Sequence, residues 1–355
     1  MTLPRSHRHR HAVLGLMCLA VLAASPAPAA RAAQPGNPMA GGPWYVDDET
    51  LAAQAQRAAA AAGQTGQAML LGRIAQTPQS MWFVAADAAQ TGYVGDFWSR
   101  ADAAIAAAPQ TIVTITLHGL PSQVCAGDNA PGAASAAEYR SYIDGWASLI
   151  GQRRVVVFLE PDALAAAICL SPAGRAERLA LMRYAARTLS ALPHVGVYED
   201  AGAGDWRPVR EMARMLRAAG VGFIRGFTLN TTHYDWTGNE IAYGLKLSRL
   251  LGGAHFVVNT AFNGRGPQLR ANGSHEWCNP SGRALGPLPT THTPSPRIDA
   301  FYWLGNPGLS DGTCHGGPRV GQFWEPWALG LASRAGGAPD YPVYRTPPGR
   351  RPAGR

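Results

Sequence analysis

Cysteine, charge and long apolar runs are all scarce in this chain of 355 residues. Five cysteines are too few for a disulfide-dense miniprotein. Charged residues make up 15% and hydrophobic residues 46%, which excludes a disordered chain. No C-x-x-C pair is present, which argues against a cysteine-based zinc site. No G-x-G-x-x-G follows the first strand-like run, and no G-x-S-x-G occurs. A dinucleotide-binding fold and a serine-hydrolase elbow are therefore disfavoured. A concentrated basic stripe is also missing, despite a formal net charge of +8. Arg5, Arg8, Arg10 and Arg31 lie in the first 32 residues, which hold no acid, and Arg345, Arg350, Arg351 and Arg355 close the chain. The stretch between them is neutral overall, so the sequence lacks the footprint of a nucleic-acid binder.

The two ends do not read as fold. Arg5, Arg8 and Arg10 precede an apolar stretch, 12–24, too short to span a membrane. Small residues follow, with an A-x-A site at Ala30-Arg31-Ala32 or Ala27-Pro28-Ala29. Residues 1–32 are thus expected to be a secretion signal peptide, and no membrane association is expected after its cleavage. Residues 336–355 read as a basic, Pro-rich, disordered tail. Loss of the signal removes Cys18 and leaves Cys125, Cys169, Cys278 and Cys314. An even number in an exported chain suggests two disulfides, with three connectivities open.

Between the ends, strand-like and helix-like stretches alternate. β-Branched and aromatic runs occur at 81–85, 111–117, 154–159, 195–198, 222–229, 255–260 and 300–304. The clearest helical stretches are 136–150, 174–192, 206–220 and 238–253. This alternation predicts an α/β fold with a parallel sheet, and the unbroken apolar character of the strands predicts cover on both faces. A barrel places polar functional residues just after its strands. Here the strands are followed by Asp87, His118, Glu160-Pro161-Asp162, Glu199-Asp200, Asn230-Thr231-Thr232, Asn259 with Asn263, and Asn306 with Asp311. Helix N-caps account for some of these, but acids and amides after nearly every strand exceed what caps require. The same rim offers Trp82, Trp206, Trp236 and Trp277. Flat aromatic faces stack on sugar rings and carboxylates move protons, so this rim suits glycoside hydrolysis. The histidines do not cluster with the acids at ligand spacing, and neither a metal nor another cofactor is expected.

The segments RVVVFLEPDALA (154–165), YEDAGAGDW (198–206), TLNTTHYDWTGNEIAYG (228–244), FNGRGP (262–267), EWCNPSGRALG (276–286) and GNPGLSDGTC (305–314) together resemble glycoside hydrolase family 6. These are inverting endoglucanases and cellobiohydrolases acting on β-1,4-glucan. The resemblance implies a single-domain, distorted parallel β/α barrel over residues 40–335, TIM-like with about seven strands. It implies Asp162 as the general acid and Asp311 as the proposed base. It places Asp200 near the central sugar, Trp277 on the donor side, and Trp82 and Trp236 on the acceptor side. His118, Trp206, Asn230 and Asn263 complete the expected glucan contacts. It pairs Cys125 with Cys169 and Cys278 with Cys314. A secreted, monomeric enzyme that binds β-1,4-glucan or cello-oligosaccharides is the expectation.

The departures from the family pattern are specific. Val124 stands where the family carries an aspartate that supports the acid, and His118 stands at a tyrosine position. Gly305 and Leu309 replace a lysine and a glutamate, and Asn259 replaces an aspartate. These changes keep open an alternative: a β-glucan-binding homologue with a degraded active site and little or no hydrolysis.

Overall fold

Seven of the short apolar runs form one parallel sheet. The computed structural model describes residues 36–85, 90–121 and 132–336. The expected signal segment, the basic tail, Asp87, Val124 and Cys125 lie outside the described residues. In chain order the elements are α1 (Leu51–Ala61), α2 (Thr65–Ala75), β1 (Met81–Val84), α3 (Gln90–Ala107), β2 (Val113–His118), α4 (Ala136–Ile150), β3 (Val155–Leu159), α5 (Pro172–Ser190), β4 (Val195–Asp200), α6 (Val209–Ala219), β5 (Gly226–Leu229), α7 (Thr237–Leu250), β6 (His255–Asn259), β7 (Gln268–Leu269), β8 (His275–Glu276), β9 (Ile298–Tyr302) and α8 (Glu325–Arg334). The sheet order is β1-β2-β3-β4-β5-β6-β9, and β7 and β8 form a separate small hairpin. A lone parallel bridge between Gln79 and Trp303 joins the two edges of the large sheet, which curls into the distorted barrel.

Strand alternation sorts the core into two layers. Val156, Phe158, Tyr198, Val257, Ala300 and Tyr302 fill the barrel interior with Met39 and Ile112. Their neighbours Val155, Val157, Leu159, Val195, Val197, Phe227 and Phe256 pack outward against the helices. Both faces are covered, which is why the strands read as unbroken apolar runs. The helices carry matching faces: Tyr139, Ile143, Trp146 and Ile150 on α4, and Met212, Ala213, Leu216 and Ala219 on α6. Their ends are chemically marked. Ser135 caps α4 by accepting from the Glu138 N–H, Ser171 and Pro172 start α5, and Gly220 ends α6 in the left-handed region. A second cluster joins α1, α2 and α8 to Trp303, Ala261 and Leu285.

The N-terminal ends of β5, β6 and β9 are held by a buried ion pair. Asp299 accepts from Arg225 at 2.8 and 2.9 Å and from the Tyr198 hydroxyl at 2.6 Å. The opposite, C-terminal end of the sheet carries the rim residues. Among the described residues, no helix is long and apolar enough to cross a membrane.

Candidate active site

The turn after β3 is the most constrained segment of the rim. Glu160 and Asp162 both adopt left-handed backbone conformations, with φ of 53° and 68°. Each costs about 1–3 kcal/mol and persists only where its surroundings fix it. Here the Glu160 carboxylate accepts from the N–H groups of Gly119 and Leu120. Arg178 donates to the Ala163 carbonyl at 2.9 Å. The Asp162 N–H donates to Asp200 Oδ1 at 3.0 Å. The turn is thereby bound to β2, α5 and β4, and the Asp162 carboxyl is aimed with little freedom.

Asp162 is partly open to solvent but enclosed by protein on most sides. Burial, and then the charge of Asp200, push its carboxyl up to about 6; His233 and the Thr232 hydroxyl, 2.6 Å from Oδ1, offset this in part. Burial also pushes Asp200 up. Four donors oppose that rise: the N–H groups of Asp162 and Gly202 and the hydroxyls of Thr228 and Thr231, at 2.5 to 3.0 Å. These donors favour the ionised form of Asp200, and its charge in turn favours the proton on Asp162.

Asp311 lies in the loop after β9. Asn279, in the loop after β8, clasps it from both sides: the Asn279 N–H donates to Oδ2 at 3.0 Å, and Asn279 Oδ1 accepts from the Asp311 N–H at 2.8 Å. The Tyr234 hydroxyl also donates to Oδ2, at 3.1 Å. The disulfide Cys278–Cys314 ties the same two loops together. Burial pushes Asp311 up to about 6, against the pull of these donors. Asp311 raises Asp162 less than Asp200 does.

The sequence model of the glycosyl hydrolases family 6 matches residues 39–335. The chain belongs to this family. It is 40% identical over 294 residues to endoglucanase A of Cellulomonas fimi, a match that covers 82% of this chain and 61% of the relative. It is 34% identical over 324 residues to endoglucanase 1 of Streptomyces halstedii, covering 89% of this chain and 96% of the relative. The structure of the endoglucanase Cel6 from Mycobacterium tuberculosis, in complex with a methyl-cellobiosyl thio-cellobioside, superposes with a TM-score of 0.76 at 42% identity. That match covers 84% of this chain and 99% of the other. The chain thus spans about three fifths of the Cellulomonas fimi protein but nearly all of the solved domain.

Within this family 6 chain, the expected sugar platforms sit in different settings. Trp277, beside the disulfide, is 49% exposed and offers an open face. Trp82 is anchored by its indole N–H to the Leu304 carbonyl at 2.7 Å and lies 5.9 Å from the His118 ring. Burial, aided by Arg178, lowers His118 to about 4, so the imidazole is neutral near pH 6. Trp206 packs on His233 with centroids 4.8 Å apart. Trp236 starts α7 and is half-buried under Gly266, where any added Cβ would strike the indole. Asn230 and Asn263 are buried: both donate to the Asp235 carbonyl, Asn230 also donates to the Asn259 carbonyl, and Asn263 donates to the Thr237 hydroxyl, while its Oδ1 has no partner among the described residues. Asp205, Asp235 and Glu240 bring three carboxylates within 4.8 Å, the one group among the described residues spaced to share an ion; His275 already pairs with Asp205 there.

Three residues that contact Asp162 and Asp311 carried no assigned role in the sequence: Thr232, Tyr234 and Asn279. Each lies inside a quoted motif, so the signal was present, but their partners are fixed only by the fold. The disulfide at Cys278 and Cys314 matches expectation. Cys169 is also disulfide-bonded, and its expected partner, Cys125, lies outside the described residues.

Proposed function

We propose that this chain is a secreted inverting β-1,4-glucanase with Asp162 as general acid and Asp311 as general base. The observation that carries the proposal is the geometry of the pair: Asp162 held by Thr232 and Asp200 after β3, and Asp311 clasped through Oδ2 by Tyr234 and Asn279, which leaves Oδ1 without a partner among the described residues. Asp162 donates its proton to the leaving glycosidic oxygen. Asp311 takes a proton from the water that attacks the anomeric carbon on the opposite face. Asp162 leaves the cycle ionised and Asp311 protonated, and exchange with solvent resets both. Both carboxyls lie near 6, so hydrolysis peaks around that pH. Asp162 must be neutral and Asp311 charged, and Asp200 biases the proton toward Asp162.

The endoglucanases to which the chain is similar support a cello-oligosaccharide or β-glucan substrate, with Trp82, Trp206, Trp236 and Trp277 as stacking faces and Asp200 and His118 near the central sugar. The departures at His118, Asn259, Gly305 and Leu309 leave both proposed catalytic carboxyls in place. The test is reducing-end release from barley β-glucan and carboxymethylcellulose by the mature protein, with proton NMR of the first anomer formed. Release of the α-anomer supports the proposal. Cello-oligosaccharide binding without turnover would replace it with the glucan-binding alternative, and β-anomer release would refute inversion.

A further inference from the structure

The wall behind Asp311 is built from apolar rings where the family resemblance leads one to expect charge. Among the described residues no cation is paired with Asp311; its side-chain donors are the Tyr234 hydroxyl and the Asn279 N–H, and both bond Oδ2. Oδ1 has no hydrogen-bond partner among the described residues. Tyr234 is 4% exposed, and its ring packs on Phe262 with centroids 4.7 Å apart. Phe262 in turn fills the space above Gly305: a Cβ there would lie 2.4 Å from Phe262 Cε1 and 2.7 Å from Cζ. No side chain at 305 could coexist with this ring position.

One amide ties the three loops concerned. Asn259 Oδ1 accepts from the N–H groups of Ala261 and Leu304, at 3.1 and 3.0 Å, and more distantly from Gly305. Its Nδ2 donates to the carbonyls of Asn230 and Thr231 at 2.9 and 3.1 Å. An aspartate could accept the first set but could not donate to the second. The residues at 259, 262 and 305 therefore form one mutually dependent arrangement.

We propose that Tyr234 is a positioning residue for Asp311, and that Phe262, seated in the space Gly305 leaves open, is the lock that holds Tyr234 against it. This rests on the reading of Asp311 as the base. A hydroxyl donated to Oδ2 favours the carboxylate, which a base must be, and turns Oδ1 toward the water. Tyr234 cannot compete for the proton, because burial and the Asp311 charge hold its hydroxyl well above the usual tyrosine range. The other charged groups facing this wall are Asp162, Glu276 of β8 and Arg283 from the loop after β8. Glu276 is held by Arg270, and Arg283 is held by the carbonyls of Arg265 and Gly266. All of these remain in the variants below.

The experiment is the pH profile of kcat/KM on a soluble β-glucan for wild type, Tyr234→Phe, Phe262→Ala, Phe262→Leu and the double variant Tyr234→Phe/Phe262→Ala. Tyr234→Phe is expected to raise the acid limb by about one pH unit, the worth of one hydrogen bond to a charged group. The loss falls on kcat more than on KM. Phe262→Ala moves the same limb in the same direction, Phe262→Leu restores part of it, and the double variant adds nothing to Tyr234→Phe. A uniform loss across pH, or additive effects, overturns the lock. Titration of the Asp311 carboxyl carbon by carbon-13 NMR, assigned with Asp311→Asn, reads the same shift without turnover. An unmoved titration in folded Tyr234→Phe also overturns it. If Asp311→Asn leaves rate and acid limb intact, the base assignment itself has failed. If it abolishes the rate while Tyr234→Phe moves nothing, the lock alone has failed.

Discussion

Glu199 is the clearest test of how burial acts on this barrel. It is 0% exposed, and neither carboxyl oxygen has a hydrogen-bond partner among the described residues. It shares the outward face of β4 with Val195 and Val197, while Asp200 faces inward with Tyr198. Burial pushes the group from 4.5 up to about 8, with Arg183 offsetting only part. The folded protein therefore binds a proton that the unfolded chain releases above pH 4.5, and stability falls as pH rises from there toward 8. The penalty works out at about 1 kcal/mol at pH 5 and about 4 kcal/mol at pH 8. Glu199→Gln removes this pH-dependent part. An amide in the same apolar site has polar atoms to satisfy too, but that cost is equal at both pH values and cancels in the comparison. For a barrel of about 300 residues, 1 kcal/mol corresponds to roughly 1.5 °C. The variant's melting temperature, relative to wild type, should then rise by about 5 °C more at pH 8 than at pH 5. Calorimetry or circular dichroism melts at the two values decide it. A difference between variant and wild type that is the same at pH 5 and pH 8 would show that Glu199 ionises normally, and would refute the reasoning.

Asp200→Asn should lower the basic limb of the pH–rate profile, because removal of a neighbouring negative charge lets Asp162 lose its proton more readily; an unmoved limb would count against Asp200 as the neighbour that keeps Asp162 protonated. Asp299→Asn should destabilise the barrel by about 3–5 kcal/mol, since it leaves the half-buried Arg225 guanidinium without its charge partner; urea titration measures this. Reduction should cost about 4 kcal/mol for the 36-residue Cys278–Cys314 link alone, read as a lower melting temperature. Non-reducing peptide mapping should also recover Cys125 bonded to Cys169.

Much of the barrel was legible because its strands carry unbroken apolar runs and its helices carry caps. All seven strand-like runs overlap strands of the large sheet, and α4 falls on 136–150 as read. Helices α1, α2, α3 and α8 were not singled out; α1 is built largely of alanine and glutamine, and α2 carries two glycines. At the site, Asp162 and Asp311 could be named from their motifs, but what surrounds them could not. Left-handed φ at Glu160 and Asp162 has no glycine to announce it. Glu199 and Asp200 read alike as rim acids, yet one-residue alternation sends them to opposite faces of the sheet. The replacements at 259 and 305 read as separate losses. Only in three dimensions does the Phe262 ring turn up in the space above Gly305, with Asn259 binding both loops.

The most direct measurement of the central claim compares Asp162→Asn on two substrates: barley β-glucan, and an aryl cellobioside with a good leaving group. An amide still hydrogen-bonds but has no acidic proton to give, so the natural glucan should lose about 10²–10⁴-fold in rate, while the aryl glycoside, which needs little protonation, loses far less. Equal losses on both substrates, with melting temperature and cello-oligosaccharide binding unchanged, would contradict Asp162 as the acid.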